Sequence, residues 1–226
     1  MVLHSVTMQR KARDHDSLTR RRVEDLEFAR KQYVLRSRAF TSASRRRALE
    51  YIERLSRRAG ALSREKFLVG VMRITAYAHN GHDSFDFGDG AWEPEARLPL
   101  RLIAFPDAWI IARAAPEQAD LIGARVLRLE GLTSRRILQR LMTVSGGKPE
   151  YVMWNAMWVV ELAGLLHALR VARSPNHLQF ALRLRNGRRL NRVIQFVPRP
   201  QVPRGASSTR LWSTEPFDIE SKLGAA

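Results

Sequence analysis

Leu98-Pro-Leu-Arg-Leu-Ile-Ala-Phe-Pro-Asp-Ala-Trp-Ile-Ile-Ala112 is the stretch on which the fold turns. Two short apolar runs, Leu100–Phe105 and Ala108–Ala112, flank Pro106-Asp107. Proline and aspartate pre-set a tight turn, so the two runs predict an antiparallel strand pair. A third run, Ala124-Arg-Val-Leu-Arg-Leu-Glu-Gly131, predicts another strand that ends at its glycine.

Downstream, Thr133 is placed to cap a helix that turns Ile137, Leu138, Leu141 and Met142 inward. Ser145-Gly-Gly-Lys-Pro149 ends that helix. Tyr151–Arg173 then reads as one further helix, with Trp154 and Trp158 sharing a core-facing side. It is the most apolar stretch of the chain, but Asn155, Glu161 and His167 are costly in a bilayer, so a buried helix and no membrane span is expected. Phe180–Leu184 and Leu190–Val197 predict a hairpin around Asn186-Gly187. Beyond Pro198 the chain is proline-rich and is expected to be extended or disordered.

Upstream, residues 79–99 hold glycines and prolines and read as loop. Before that the period is helical. Val23, Leu26, Ala29, Tyr33 and Val34 form one stripe, and Ala48, Tyr51, Ile52 and Leu55 form a second. Thr41, Ser42 and Ser44 are all candidate caps for the second helix. Ser63 caps a third helix, which buries Phe67, Leu68, Val71, Met72, Ile74 and Thr75. The expected fold class is therefore α+β: a basic helical N-terminal domain over 1–95, then a domain of short strands and helices over 96–198, then a tail over 199–226.

The chain has 226 residues, 39 basic and 22 acidic, for a net charge of +17. Such a surplus attracts nucleic acid or anionic surfaces without sequence preference, and it is also what a well-solvated surface looks like. The absence of cysteine excludes disulfides, thiolate chemistry and Cys-based zinc sites. Residues 1–16 carry no apolar signal-peptide core, so a cytoplasmic chain is expected.

The motifs give no complete catalytic set. Asp86-Phe-Gly88 stands without the other kinase elements. His79, His82, Asp83, Asp86 and Asp89 crowd one loop, but their spacing matches no standard metal site, and capping and turning is the expected role. Ser145-Gly-Gly147 lacks the nucleophile elbow, and Lys148 does not complete a phosphate loop. No metal and no cofactor are expected.

Taken in order, several segments resemble the N-terminal half of the bacterial tail-specific (C-terminal-processing) serine peptidases. They are Val23-Glu-Asp-Leu-Glu-Phe28, Leu62-Ser-Arg-Glu-Lys-Phe-Leu-Val-Gly70, the turn Asn80-Gly-His-Asp83, the strand pair at 98–112, and Leu121-Ile-Gly-Ala-Arg-Val-Leu-Arg-Leu-Glu-Gly131. The likeness spans roughly 22–200; Asp83 departs from it, standing where the family has threonine. The resemblance implies that 96–198 is a PDZ-like domain and that the serine nucleophile and lysine base belong to a later domain. No residue here inherits either role, so the catalytic set is empty and a separate peptidase catalytic domain is an implied partner.

Two functions from different classes follow. In the first, the PDZ-like domain binds extended peptides or peptide C-termini by adding a strand. Its expected contacts are the backbone of Leu121, Ile122, Gly123 and Ala124, with Ile137 and Leu141 as pocket walls. In the second, the arginine-rich helices bind nucleic acid sequence-blind through Arg20, Arg21, Arg22, Arg45, Arg46, Arg47, Arg57 and Arg58. A further expectation is an apolar surface left by a missing partner domain, around Val193, Phe196, Val197, Leu211 and Trp212.

Overall fold

The computed structural model describes residues 16–83, 96–155 and 157–198, with side chains omitted at 154, 155, 157, 158 and 198. The tail, Leu211 and Trp212, Asp86 and Asp89, and the side chains of the Trp154–Trp158 pair therefore lie outside what is described.

Residues 16–28 form helix α1, which winds on as a π-helix over Ala29–Val34. Its buried stripe is offset from the expected one. Leu26, Ala29 and Val34 are buried, but Val23 is exposed and Arg22 takes the inward position. Helix α2 spans Ser42–Ser56, and of the three candidate caps Thr41 is the one used: its Oγ1 accepts the Ser44 N–H. Helix α3 spans Arg64–Ala76, capped by Ser63 as expected.

Strand β1 is Ala96–Arg97, β2 Leu100–Ala104, β3 Trp109–Ala114 and β4 Arg125–Leu129. Helix α4 is Ser134–Leu141, α5 Pro149–Asn155 and α6 Ala163–Ala168. Strands β5 (His177–Arg183), β6 (Arg189–Gln195) and β7 (Val197–Pro198) follow as the last described elements. Strands β2 to β6 form one five-stranded antiparallel sheet in sequence order, and β1 pairs with β7 separately. A helical N-terminal region followed by this strand region makes the fold α+β.

Local chemistry sets the turns. At the end of β4, Glu130 and Gly131 both have positive φ, and Leu129 and Leu132 exchange two hydrogen bonds across them. That is a two-residue hairpin turn of the primed kind. Glu130 lacks glycine's freedom, and its carboxylate compensates by accepting the Gln179 N–H at 2.8 Å. The β5–β6 hairpin closes at Asn186-Gly187, where Gly187 has φ +83° and Asn186 Oδ1 accepts the Arg188 N–H.

Helix α3 lies between two hydrophobic cores. Phe67 and Ile74 pack with Leu26, Ile52 and Leu55 of the helical side. Val69 and Met72 pack with the sheet-side core, which includes Trp109, Ile111, Ile137, Leu141 and Phe180.

Three expectations are corrected. The single helix over Tyr151–Arg173 is broken into α5, a 3-10 turn at Met157–Glu161, and α6. The break comes from tertiary pairing: Leu162 takes an extended conformation and bridges Arg97, while the Glu161 carbonyl accepts the Leu98 N–H. Met142 is exposed at the end of α4, where the inward row stops with Ile137 and Leu141. Phe196 is only 8% exposed, so Phe196→Ser would open a cavity in the core and would not relieve a sticky surface; Val193, at 55%, is the exposed apolar side chain of β6.

Candidate functional site

The expected peptide cradle sits where the chain leaves a 3-10 segment, Pro116–Leu121, and enters β4. The structure brings Leu121 to Ala124 together, but their donors are spent. The Ile122 N–H goes to the Ala119 carbonyl, Gly123 to Ile111 and Ala124 to Leu121. Leu121, Ile137 and Leu141 are all buried in the sheet-side core. An incoming carboxylate would have to displace existing hydrogen bonds at this turn; of the six positions Leu121, Ala124, Ile137 and Leu141 are buried, while Ile122 is exposed.

The open backbone lies elsewhere. At the two ends of the β5–β6 ladder, Leu184 N–H bonds the Arg188 carbonyl and Phe196 N–H bonds the Asn176 carbonyl. Antiparallel pairing alternates, so the even-numbered residues of β6 direct their backbone at β5. Arg189, Asn191, Val193 and Gln195 therefore turn theirs outward, and among the described residues no strand pairs with that side. The opposite edge strand is β2, and the Met157–Leu162 segment bonds the chain just before it, at Arg97 and Leu98.

That segment carries a fully buried carboxylate. Glu161 receives Arg101 Nη1 at 2.8 and 3.0 Å and Arg97 Nη2 at 3.2 Å. Burial pushes its carboxyl up to about 7, against the downward pull of Arg101 and Arg97.

The turn Asn80-Gly-His-Asp83 has a structural use. Asp83 accepts from the Tyr33 hydroxyl at 2.8 Å and from Asn80 Nδ2 at 3.1 Å. Burial and this carboxylate together raise the Tyr33 pKa. The same turn meets the Gly146-Gly147 segment so closely that a Cβ on Gly146 would stand 2.7 Å from the Asn80 carbonyl oxygen.

The eight arginines expected to contact phosphate have different surroundings. Arg22 is buried, donates to the Ala59 and Leu62 carbonyls at 2.7 and 2.8 Å, and stands over the Phe67 ring. Its burial lowers its pKa, with Glu65 pulling the other way. That removes Arg22 from any surface role. Arg45 is tied to the Ser37 carbonyl. Arg20, Arg21, Arg46 and Arg47 are exposed on two different helices, α1 and α2. Only Arg57 and Arg58 enter a concave site, a cleft of about 760 Å³. Arg54 from α2, Lys66 and Arg73 from α3, Arg140 from α4 and Arg170 after α6 join them there. No single segment signals this cleft, because its cations come from four helices and the turns that follow them.

The described residues thus form a five-stranded sheet with β2 and β6 at its edges, a core-packed helical cover and a cationic cleft. Among solved structures, mature CPAF matches 92% of this chain and 40% of its own at 13% identity, with a TM-score of 0.50. A serine-to-alanine variant of CPAF matches 81% of this chain and 35% of its own at 12% identity, also with a TM-score of 0.50. CPAF is a chlamydial serine protease related to tail-specific proteases. At these identities the likeness is one of fold alone, and the chain spans well under half the length of the CPAF chains it matches. No protein-family model and no curated protein matches the sequence. Among the described residues no helix is long and apolar enough to cross a membrane.

Proposed function

We propose that this chain is the non-catalytic, peptide-binding part of a tail-specific-peptidase-like protein, with 96–198 as its PDZ-like portion. The outward backbone row of β6 carries this reading: an extended peptide can add there as a sixth strand of the sheet. The protease-like fold supports a peptide as the natural occupant. Exposed Val193 supplies an apolar contact on that strand, and Arg189 a charge beside it.

The test is a titration of the full chain with peptides bearing free C-termini, read by amide chemical shifts. Shifts are expected at Asn191 and Val193. Val193→Pro removes one outward donor, a position where an edge strand tolerates proline, and should abolish the shift at Asn191 while leaving the fold intact. Unchanged binding by Val193→Pro would rule out strand addition at β6. Hydrolysis of casein by the purified chain would overturn the non-catalytic reading.

A further inference from the structure

The cleft between α2, α3, α4 and α6 combines a charge pattern and a shape that the strand-edge reading does not use. Its rim carries Arg54, Arg57 and Arg58 from α2 and the turn after it, and Lys66 and Arg73 from α3. Arg140 and Arg170 close the far side. No aspartate or glutamate lines it, and among the described residues none of these cations forms an ion pair. The floor is apolar: Leu55, Leu62, Val69 and Leu169. Arg140 is fixed in place by the Leu169 and Arg170 carbonyls at 3.1 and 2.9 Å.

Like charges held around a concave, low-dielectric wall focus a positive potential into it, which is relieved when an anion enters. The shape then decides which anion. Single-stranded nucleic acid needs exposed aromatic faces on which bases stack. The one aromatic residue in the lining, Tyr51, already packs on Tyr77 at 5.8 Å and lies under the Arg54 guanidinium. A membrane surface calls for a basic face that can lie flat on it, which a cleft does not offer. A peptide in which acidic and apolar residues alternate matches both features at once, carboxylates to the rim and apolar side chains to the floor.

We infer that this cleft is a second binding site, for an acidic polypeptide segment interspersed with apolar residues. It uses no residue of β6, so it stands or falls separately from strand addition.

The experiment uses the full chain and fluorescence anisotropy at about 0.15 M salt, where exposed charges further apart than a Debye length are screened. The probe is a labelled peptide alternating Glu and Leu, with a Gln-for-Glu control and a single-stranded oligonucleotide as a third arm. The Glu peptide should bind at least about tenfold more tightly than the Gln control, and Arg57→Glu with Arg73→Glu should weaken it by about tenfold or more. Arg185→Glu with Arg188→Glu, at the exposed hairpin tip, should leave it unchanged, as should Val193→Pro. Equal losses in the hairpin-tip variant would show attraction to the overall charge and overturn the site. Tighter binding of the oligonucleotide, lost on Arg57→Glu with Arg73→Glu, would overturn the peptide assignment. Loss only in Val193→Pro would assign the peptide to β6 and leave the cleft without one.

Discussion

Arginine is used in two opposite ways in this molecule. At the start of the sheet, Arg97 and Arg101 converge on Glu161, which is fully buried. In the cleft, the cations gather with no carboxylate among them. The first arrangement accompanies the break in the helix and ties the Met157–Leu162 segment to the chain just before β2. The second leaves its charge available. A buried ion pair must have its partner to be tolerable, whereas a solvated cluster of like charges only raises the potential around it. The contrast separates charge that shapes the fold from charge free to meet a ligand.

The largest effect expected from breaking that contrast is at Glu161. Glu161→Ala leaves two half-buried guanidiniums facing a vacated pocket and should cost roughly 3–5 kcal/mol, measured by urea denaturation at a pH where the wild-type carboxylate is ionised. A loss well below this would mean that the arginines find water instead, and the two regions would differ less than their geometry shows.

The pH dependence of the same group sharpens the point. Its folded pKa of about 7 lies above the ordinary 4.5, burial being the main cause. The native state therefore holds the proton more tightly than the unfolded chain does. The resulting stabilisation is complete below pH 4.5 and is lost as pH rises through 7. Glu161→Gln, neutral throughout, should flatten this part of the stability profile, by roughly 3 kcal/mol at most. A profile unchanged by Glu161→Gln would show that the pair titrates as it does in water.

How much of this was legible from the chain follows from the range of the forces involved. The β2–β3 pair around Pro106-Asp107, the Ser63 and Thr133 caps and the hairpin at Asn186-Gly187 depend on near neighbours in sequence, and they stand where the pattern put them. The break at Glu161 depends on Arg97 and Leu98, more than sixty residues earlier, so periodicity alone reads a continuous helix. Arg22 has the composition of a surface residue and is buried because the carbonyls of Ala59 and Leu62 meet its guanidinium. The turn at Leu121–Ala124 reads as open in sequence, but local bonds to Ala119 and Leu121 and the Gly123 bond to Ile111 of β3 occupy its amides. Of the cleft, Arg57 and Arg58 could be picked out as an adjacent pair; the other cations join them only in space.

A smaller effect comes from a contact without charge. Gly146→Ala would place a methyl 2.7 Å from the Asn80 carbonyl oxygen and 2.9 Å from its amide nitrogen, both backbone atoms. Neither can rotate away, so the two segments must separate, at about 1–3 kcal/mol. Urea denaturation at low and high salt should give the same loss. A salt-dependent loss would show that separating the segments also disturbs the charged groups nearby.

The smallest stability effect belongs to the cleft. Arg57→Ala and Arg73→Ala each remove a cation that has no ion-pair partner among the described residues, so no favourable pairing is lost. Mutual repulsion is relieved instead. The expected change in unfolding free energy lies within about 0.5 kcal/mol, slightly stabilising at low salt and vanishing as salt rises. Arg140 is the internal control, because its guanidinium holds the Leu169 and Arg170 carbonyls at the end of α6. Arg140→Ala should cost about 1 kcal/mol, the net worth of its bonds to one part-buried and one exposed carbonyl, with little dependence on salt. If Arg57→Ala were as damaging as Arg140→Ala, the rim would be structural, and the distinction between paired and available arginines would fail at the site where it matters for binding. If both were neutral, the α6 terminus would be held by packing alone, and the available charge would extend over the whole rim.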